Sequence, residues 1–330
     1  MEVNGALVAV RAETWPIRGT FRIARGARTE SRVVVVEISD GIATGRGECV
    51  PYPRYGETVE QVIATIREVA GRMTDGMDRM ALQHELPAGA ARNALDCACW
   101  DLAAKRAGSR AWDVAGLPEP RPLTTAYTIS LDEPVAMGTA ARAEAHRPLL
   151  KLKLTGERDL DRVAAVRDAA PNTRIIADAN EAWTPSHFAE LARPLAELGV
   201  EMIEQPFPAD RDDALLDVER PLLVAADEAC HTSDDVARLV GRYDVVNLKL
   251  DKTGGITEGL RLVTAARDAG LELMVGCMVG TSLGVAPAIL LAQGARYVDL
   301  DAPLLLARDR PEGLRYGGST LYPPSRELWG

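Results

Sequence analysis

The sequence predicts a (β/α)8-type barrel preceded by a smaller α+β domain. Three observations predict it. From residue 124 onward, short apolar runs alternate with amphipathic stretches, the pattern of βα units. One polar residue sits at or just past the end of each run: Thr128, Lys153, Asp178, Glu204, Asp227, Lys252, Cys277 and Asp301, at steps of 25, 25, 26, 23, 25, 25 and 24. Residues 1–118 lack this rhythm and read as strands followed by helices.

The chain's 330 residues leave room for a barrel plus a second unit. Hydrophobic residues make up 47% and charged residues 26%, ordinary for a globular protein. A net charge of −10 and a pI near 5.1 argue against a nucleic-acid surface. MEVNGALVAVRAETW has no basic region followed by an apolar core, so no signal peptide is expected. No apolar run approaches the roughly 18 residues of a membrane span. The five cysteines are odd in number and spaced for neither zinc nor a disulfide framework, which points to free thiols in a reducing, cytoplasmic setting. The histidines are scattered, with no ligand pair among them.

Taken in order, GALVAVRAETW alternates as a strand does, and RVVVVEISDG ends in a turn. Between them, TFRIARGARTES (20–31) reads as a loop with three arginines. GRGECVPYPRYGET (45–58) reads as a second irregular loop, from its glycines and prolines. Both fit surface loops or a pair of lids with cationic and aromatic tips. VEQVIATIREVAGRM and AGAARNALDCACWDLAAKRAG carry apolar residues at helical spacing. PEPRP (118–122) is the expected domain boundary. The barrel strands are expected at 124–131, 149–154, 174–180, 201–206, 222–228, 244–250, 271–277 and 297–301. DRVAAVRDAA, HFAELARPLAELG and LRLVTAARDAG are among the helices between them.

The strand LLKLKL puts Lys151 and Lys153 on one face and leucines on the other. On pattern alone a half-exposed antiparallel strand fits as well. The later strands, which end in single carboxylates, favour a barrel interior. There two ammonium groups need anions or a metal's ligands to balance them. Asp178, Glu204 and Asp227 end three consecutive strands and would repel one another unless a cation held them. Oxygen-only ligation suits Mg²⁺. Lys153 and Lys252, one βα unit to either side of the trio, would face a metal-held substrate from opposite sides. That arrangement removes a proton from one face of a carbon and returns it to the other. Lys151 is the neighbouring cation able to lower a lysine's pKa, and the metal would carry the enediolate charge.

These residues, with LDKTGGIT (250–257), resemble the enolase superfamily in its muconate-lactonising-enzyme subgroup. The resemblance covers nearly the whole chain. It implies a (β/α)7β TIM-like barrel with an α+β capping domain: residues 1–120 with lid loops near 18–31 and 45–58, a catalytic barrel at 121–305, and a segment at 306–330 returning to the cap. VDLDAP (298–303) resembles the Asp-x-Asp of dipeptide epimerases, which implies that Asp299 and Asp301 bind the substrate's α-ammonium. CVPYPRYGE, LPAGAARNALDCACWDLAA, DEACHT and NLKLDKTGG resemble epimerases acting on L-Ala-D/L-Glu. Arg25 then matches the arginine that meets the glutamate side chain, with Arg22 and Arg28 adjacent. Thr128, Cys277 and Met278 would line the pocket, a place each could equally hold as barrel packing, and Glu228 and Asp251 would either support the metal and lysines or be surface charges.

The implied activity is cytoplasmic and Mg²⁺-dependent, with one ion per subunit. It epimerises a small dipeptide at its C-terminal residue and serves murein-peptide recycling. A homo-oligomer is expected. The same machinery could instead serve another dipeptide, an N-acylamino acid, o-succinylbenzoate synthesis or a muconate. The acidic pair argues against substrates without an ammonium. A non-catalytic binding barrel is the remaining alternative, against which the intact lysines and carboxylates speak.

Overall fold

The protein's structure is a computed structural model that describes residues 7–74 and 78–330. Gly5 and Ala6, the first residues of the strand expected from residue 5, lie outside the described residues. β1 (Leu7–Ile23), β2 (Gly26–Ser39) and β3 (Thr44–Cys49) form an antiparallel sheet in chain order. Helices α1 (Val59–Thr74), α2 (Arg79–Glu85) and α3 (Ala90–Ala107) follow. Val34, Val36 and Ile38 of β2 share a core with Val62, Ile66, Ala94 and Ala98 of α1 and α3. α3 stops where its sequence runs into Gly108, whose φ of 62° is left-handed.

Two expected loops prove more regular than their composition suggested. Residues 20–31 are the tip of the β1–β2 hairpin, with a register shift between Pro16 and Phe21 and a turn at residues 24 and 25. The glycine-rich start of the second loop is β3. Its glycines serve close packing: a Cβ on Gly47 would collide with the Ala94 carbonyl of α3.

After α4 (Ala111–Val114) and the short β4 (Leu123–Thr124), eight parallel strands build the barrel. They are β5 (Tyr127–Ile129), β6 (Leu149–Lys153), β7 (Arg174–Asp178), β8 (Val200–Glu204), β9 (Leu223–Ala226), β10 (Val245–Leu248), β11 (Glu272–Gly276) and β12 (Tyr297–Asp299). Each strand pairs with the next in sequence, and Ala126 N–H donates to the Val298 carbonyl at 2.8 Å across the remaining seam. Every residue of β6 is buried, which excludes the half-exposed strand. The connections include α5 (Pro134–Ala143), α6 (Asp159–Ala169), α7 (Pro185–Glu197), α8 (Val236–Leu239), α9 (Leu250–Thr253) and α10 (Ile256–Asp268). Among the described residues, no helix is long and apolar enough to cross a membrane.

Strand parity sets what the barrel encloses. Leu149, Ile176, Met202, Ala225, Val245, Met274 and Tyr297 form an apolar layer inside. Two residues further along, the inward positions become polar on every strand but β11, where Gly276 stands. The C-terminal segment runs back to the first sheet and its helices. The Trp329 indole donates to the Cys97 carbonyl at 3.1 Å, and Gly330 N–H to Asp101 at 2.7 Å.

Candidate active site

The polar layer lies at the C-terminal ends of the strands. Lys153 pairs in register with Asp178, and Asp178 with Glu204, across β6, β7 and β8. Asp227 is the first residue past β9. Asp178, Glu204 and Asp227 are buried, and each offers a carboxylate oxygen within 4.8 Å of the other two. Burial and the Asp178 charge push Glu204 up to about 7, whereas Lys153 and Lys151 outweigh burial and hold Asp178 down at about 2. Three buried oxygen donors this close, one of them forced toward its neutral form, fit a hard divalent cation.

Lys151 and Lys153 reach this layer from β6, as expected. The Lys153 ammonium lies 2.6 Å from Asp178. Lys151 lies 2.6 Å from Glu204, 2.7 Å from Asp299 and 3.5 Å from Asp178. Burial opposes its charge, but Asp299, Glu204 and Asp178 together hold its pKa well above the ordinary lysine value.

On the opposite strand the geometry corrects the sequence reading. Lys252 lies on α9, past the strand, and is completely buried. Its ammonium sits behind Asp227, 2.7 Å from Oδ1, and donates to the Asp227 carbonyl and, at 2.9 Å, to the Asn247 carbonyl. The lysine lining the cavity is Lys249, one residue past β10, 2.6 Å from Asp227 Oδ2 and 3.9 Å from Glu204. Parity explains the difference. Val245, Asn247 and Lys249 alternate with Val246 and Leu248, so Lys249 continues the inward row. Asn247 on that row donates to Glu204 at 2.7 Å. Gly276 next to it has no side chain, where a Cβ would crowd Asn247 and Lys249. The signal was in the sequence: NLKL repeats the polar–apolar alternation of LLKLKL.

Asp299 ends β12, and Asp301 lies two residues on, at the start of a one-turn helix. Asp301 accepts the Thr128 N–H at 2.6 Å, and burial together with the neighbouring Asp299 charge raises it to about 7. Asp299 Oδ2 meets Lys151, while its buried Oδ1 has no hydrogen-bond partner among the described residues. Cys277 and Met278 line the cavity, and Thr128 lines a separate cleft beside it. Asp251 points away from the cavity, toward the first sheet, and accepts from Val50 N–H and Asn93.

The hairpin tip and the residues after β3 roof the site. Arg25 reaches it with its donors already engaged: Glu228 at 2.6 Å, the Asn180 carbonyl at 2.8 Å, and Glu181 and the Tyr52 hydroxyl at 3.2 Å. Burial works against its charge, but Glu228 and Tyr52 outweigh it and raise the pKa. Arg28 lines the same cavity, stacked over the Phe21 ring, and its guanidinium has no hydrogen-bond or ion-pair partner among the described residues. Burial depresses its pKa, only partly offset by Tyr52. An uncompensated guanidinium beside a cavity is a receptor for an anion.

Two family models match the chain. One, described as mandelate racemase / muconate lactonizing enzyme, N-terminal domain, covers residues 6–116, and one described as enolase C-terminal domain-like covers residues 136–309. The chain is 45% identical over 317 residues to the L-Ala-D/L-Glu epimerase of Escherichia coli K12, covering 96% of this chain and 99% of that protein. It is 43% identical over 302 residues to an N-acetyl-D-glutamate racemase of a Pseudoalteromonas species, covering 90% and 95%. A crystal structure of an enolase family member from Agrobacterium tumefaciens, with sodium and L-Ala-L-Glu bound, superposes with a TM-score of 0.97 at 51% identity, covering 98% of this chain and all (100%) of that one.

Proposed function

Since the chain belongs to the mandelate racemase / muconate lactonizing enzyme family of the enolase superfamily, we propose that it is a dipeptide epimerase, an isomerase that inverts the C-terminal residue of L-Ala-D/L-Glu. One observation carries the reading. Lys153 and Lys249 approach the carboxylate trio from opposite sides of the barrel, each 2.6 Å from a different carboxylate.

Asp178, Glu204 and Asp227 would hold one Mg²⁺ per subunit. Bound there, the ion would supply an electrophile for the substrate carboxylate and would draw off the carboxylate charge that raises the pKa of Lys249. One of Lys153 and Lys249 removes the α-proton of the C-terminal residue, and the other returns a proton to the opposite face. Their roles exchange when the other epimer binds. Lys151 remains an ammonium, fixed by Glu204 and Asp299, and stabilises the negative charge developing on the substrate. Lys252 holds Asp227 from behind rather than handling protons. Asp299 and Asp301 receive the α-ammonium, for which Asp299 Oδ1 is the open acceptor. Arg28 takes the glutamate side chain, because Arg25 is already neutralised by Glu228. Cys277 and Met278 wall the pocket, with Thr128 behind Asp301.

Racemisation of an N-acylglutamate is a second reading, favoured by the likeness to the N-acetyl-D-glutamate racemase. Such a substrate has no ammonium to offer Asp299. Proton NMR in D₂O with Mg²⁺ separates the two. With L-Ala-L-Glu the glutamate α-proton signal should vanish, the L,D epimer should appear and the alanine α-proton should persist. Exchange of N-acetylglutamate alone would overturn the dipeptide reading. We further infer a cytoplasmic role in murein-peptide recycling; the free state of all five cysteines supports that compartment.

A further inference from the structure

Among the described residues, four non-glycine residues have positive φ, and three of them, Asn180 (46°), Glu181 (66°) and Gln205 (36°), lie together just past β7 and β8. Such backbone persists only where its surroundings impose it, and it concentrates at functional sites. Gln205 has a local explanation, since its side chain accepts from Asp227 N–H at 2.9 Å and Ala229 N–H at 3.0 Å. Asn180 has one too, because its N–H and amide hold the Asp178 carboxylate at 2.8 and 3.1 Å.

Glu181 has no such role toward the carboxylate trio. Instead its carboxylate, only 8% exposed, gathers three other segments. Arg54, after β3, grips it bidentately through Nε and Nη2, both at 2.7 Å. Arg25, on the hairpin tip, reaches it at 3.2 Å, and Ala209 N–H, after β8, at 2.9 Å. Bidentate pairing is the strong geometry of an ion pair, although the Arg54 side chain is itself 39% exposed and its charge partly screened. The same hairpin and post-β3 segments roof the inner cavity through Phe21, Ile23 and Tyr52, and leave it about 50 Å³. That volume holds roughly three to five waters, far short of a dipeptide. The same roof residues border an outer cleft of about 450 Å³, so a substrate that reaches the lysines from there has to displace them.

We propose that Glu181 is the latch of this roof: a positioning residue on the barrel rim that fastens both segments over bound substrate. Closure also connects to the metal-ligand end of β7. The Asn180 carbonyl accepts from Arg25 at 2.8 Å, while Asn180 N–H holds Asp178. The latch goes beyond the epimerase reading and rests on it only for the substrate used in one arm of its test.

The test is hydrogen–deuterium exchange of the full-length, Mg²⁺-supplied enzyme, wild type against Glu181→Gln, with steady-state kinetics on L-Ala-L-Glu. Exchange should rise in residues 20–31 and 50–58 and stay unchanged in β3, α3 and the barrel strands. A tenfold loss of the closed population should raise KM about tenfold, with kcat within about threefold. Arg54→Gln should shift exchange and KM in the same direction, and the double variant should be no worse than Glu181→Gln alone, because both hydrogen bonds of Arg54 go to Glu181. Unchanged exchange in both roof segments overturns the latch. So does exchange that rises equally in α3, which would mean a loosened fold. If wild type fails to epimerise L-Ala-L-Glu, the substrate reading falls and the exchange arm still decides the latch.

Discussion

Replacing Lys252 and replacing Lys249 should fail in different ways. The Lys252 ammonium is fully buried, 2.7 Å from Asp227 Oδ1, and donates to two backbone carbonyls. Lys252→Met leaves those acceptors buried without their donor. Breaking a buried pair costs about 3–5 kcal/mol. An unfolding entropy of ~2.1 cal/mol/K per residue gives about 0.7 kcal/mol/K for this chain, so Tm should fall by roughly 4–7 °C. Lys249 faces the cavity, and Asp227 retains Lys252 without it. With Mg²⁺ present, Lys249→Met should keep Tm within about 2 °C. It should lower kcat by about a thousandfold, the loss of a general acid–base group. Scanning calorimetry and the NMR epimerisation assay read the two effects. A Lys252→Met enzyme that is stable but inactive, beside a Lys249→Met enzyme that still turns over, would refute the assignment.

Arg28→Met should lower kcat/KM for L-Ala-L-Glu roughly 10- to 150-fold, the worth of a hydrogen-bonded charge, and barely affect L-Ala-L-Gln; equal losses on both would return the role to Arg25. Mg²⁺ at about 100 times its Kd should add about 2.7 kcal/mol of stability, roughly 4 °C by calorimetry, reversed by EDTA and largely lost in Asp178→Asn. A shift that survives Asp178→Asn would place the ion elsewhere. Asp96, which accepts from Thr257 N–H and hydroxyl, is raised by burial from 3.8 to about 6. Its folded pKa exceeds its unfolded one, so its contribution is fully present below pH ~4 and is lost as pH rises through about 6, a decline of about 3 kcal/mol. Asp96→Asn should flatten that part of the stability–pH curve measured in urea; an unchanged curve would sink the reasoning.

The barrel was legible because parallel strands are covered on both faces and read as short apolar runs, and because a polar residue recurs near the end of each strand at a steady interval. The carboxylate trio followed from that row. The same regularity misled at β10. A step of 25 residues pointed to Lys252, while side-chain alternation within the strand pointed to Lys249, and alternation is the physical constraint. Glycines at 45 and 47 suggested a loop, yet they mark a strand pressed against α3. Choosing between Arg25 and Arg28 was beyond the sequence. It depends on acceptors 155–203 residues away, the Asn180 carbonyl and the Glu181 and Glu228 carboxylates, which only folding brings to Arg25.

The most direct test of the two-lysine account follows each epimer separately in D₂O. Lys153→Met and Lys249→Met should both lose epimerisation. Each should still wash out the glutamate α-proton of one epimer, and the two variants should act on opposite epimers. If both exchange the same epimer, or if Lys249→Met still interconverts L-Ala-L-Glu and L-Ala-D-Glu, the two lysines do not work from opposite faces and the account is wrong.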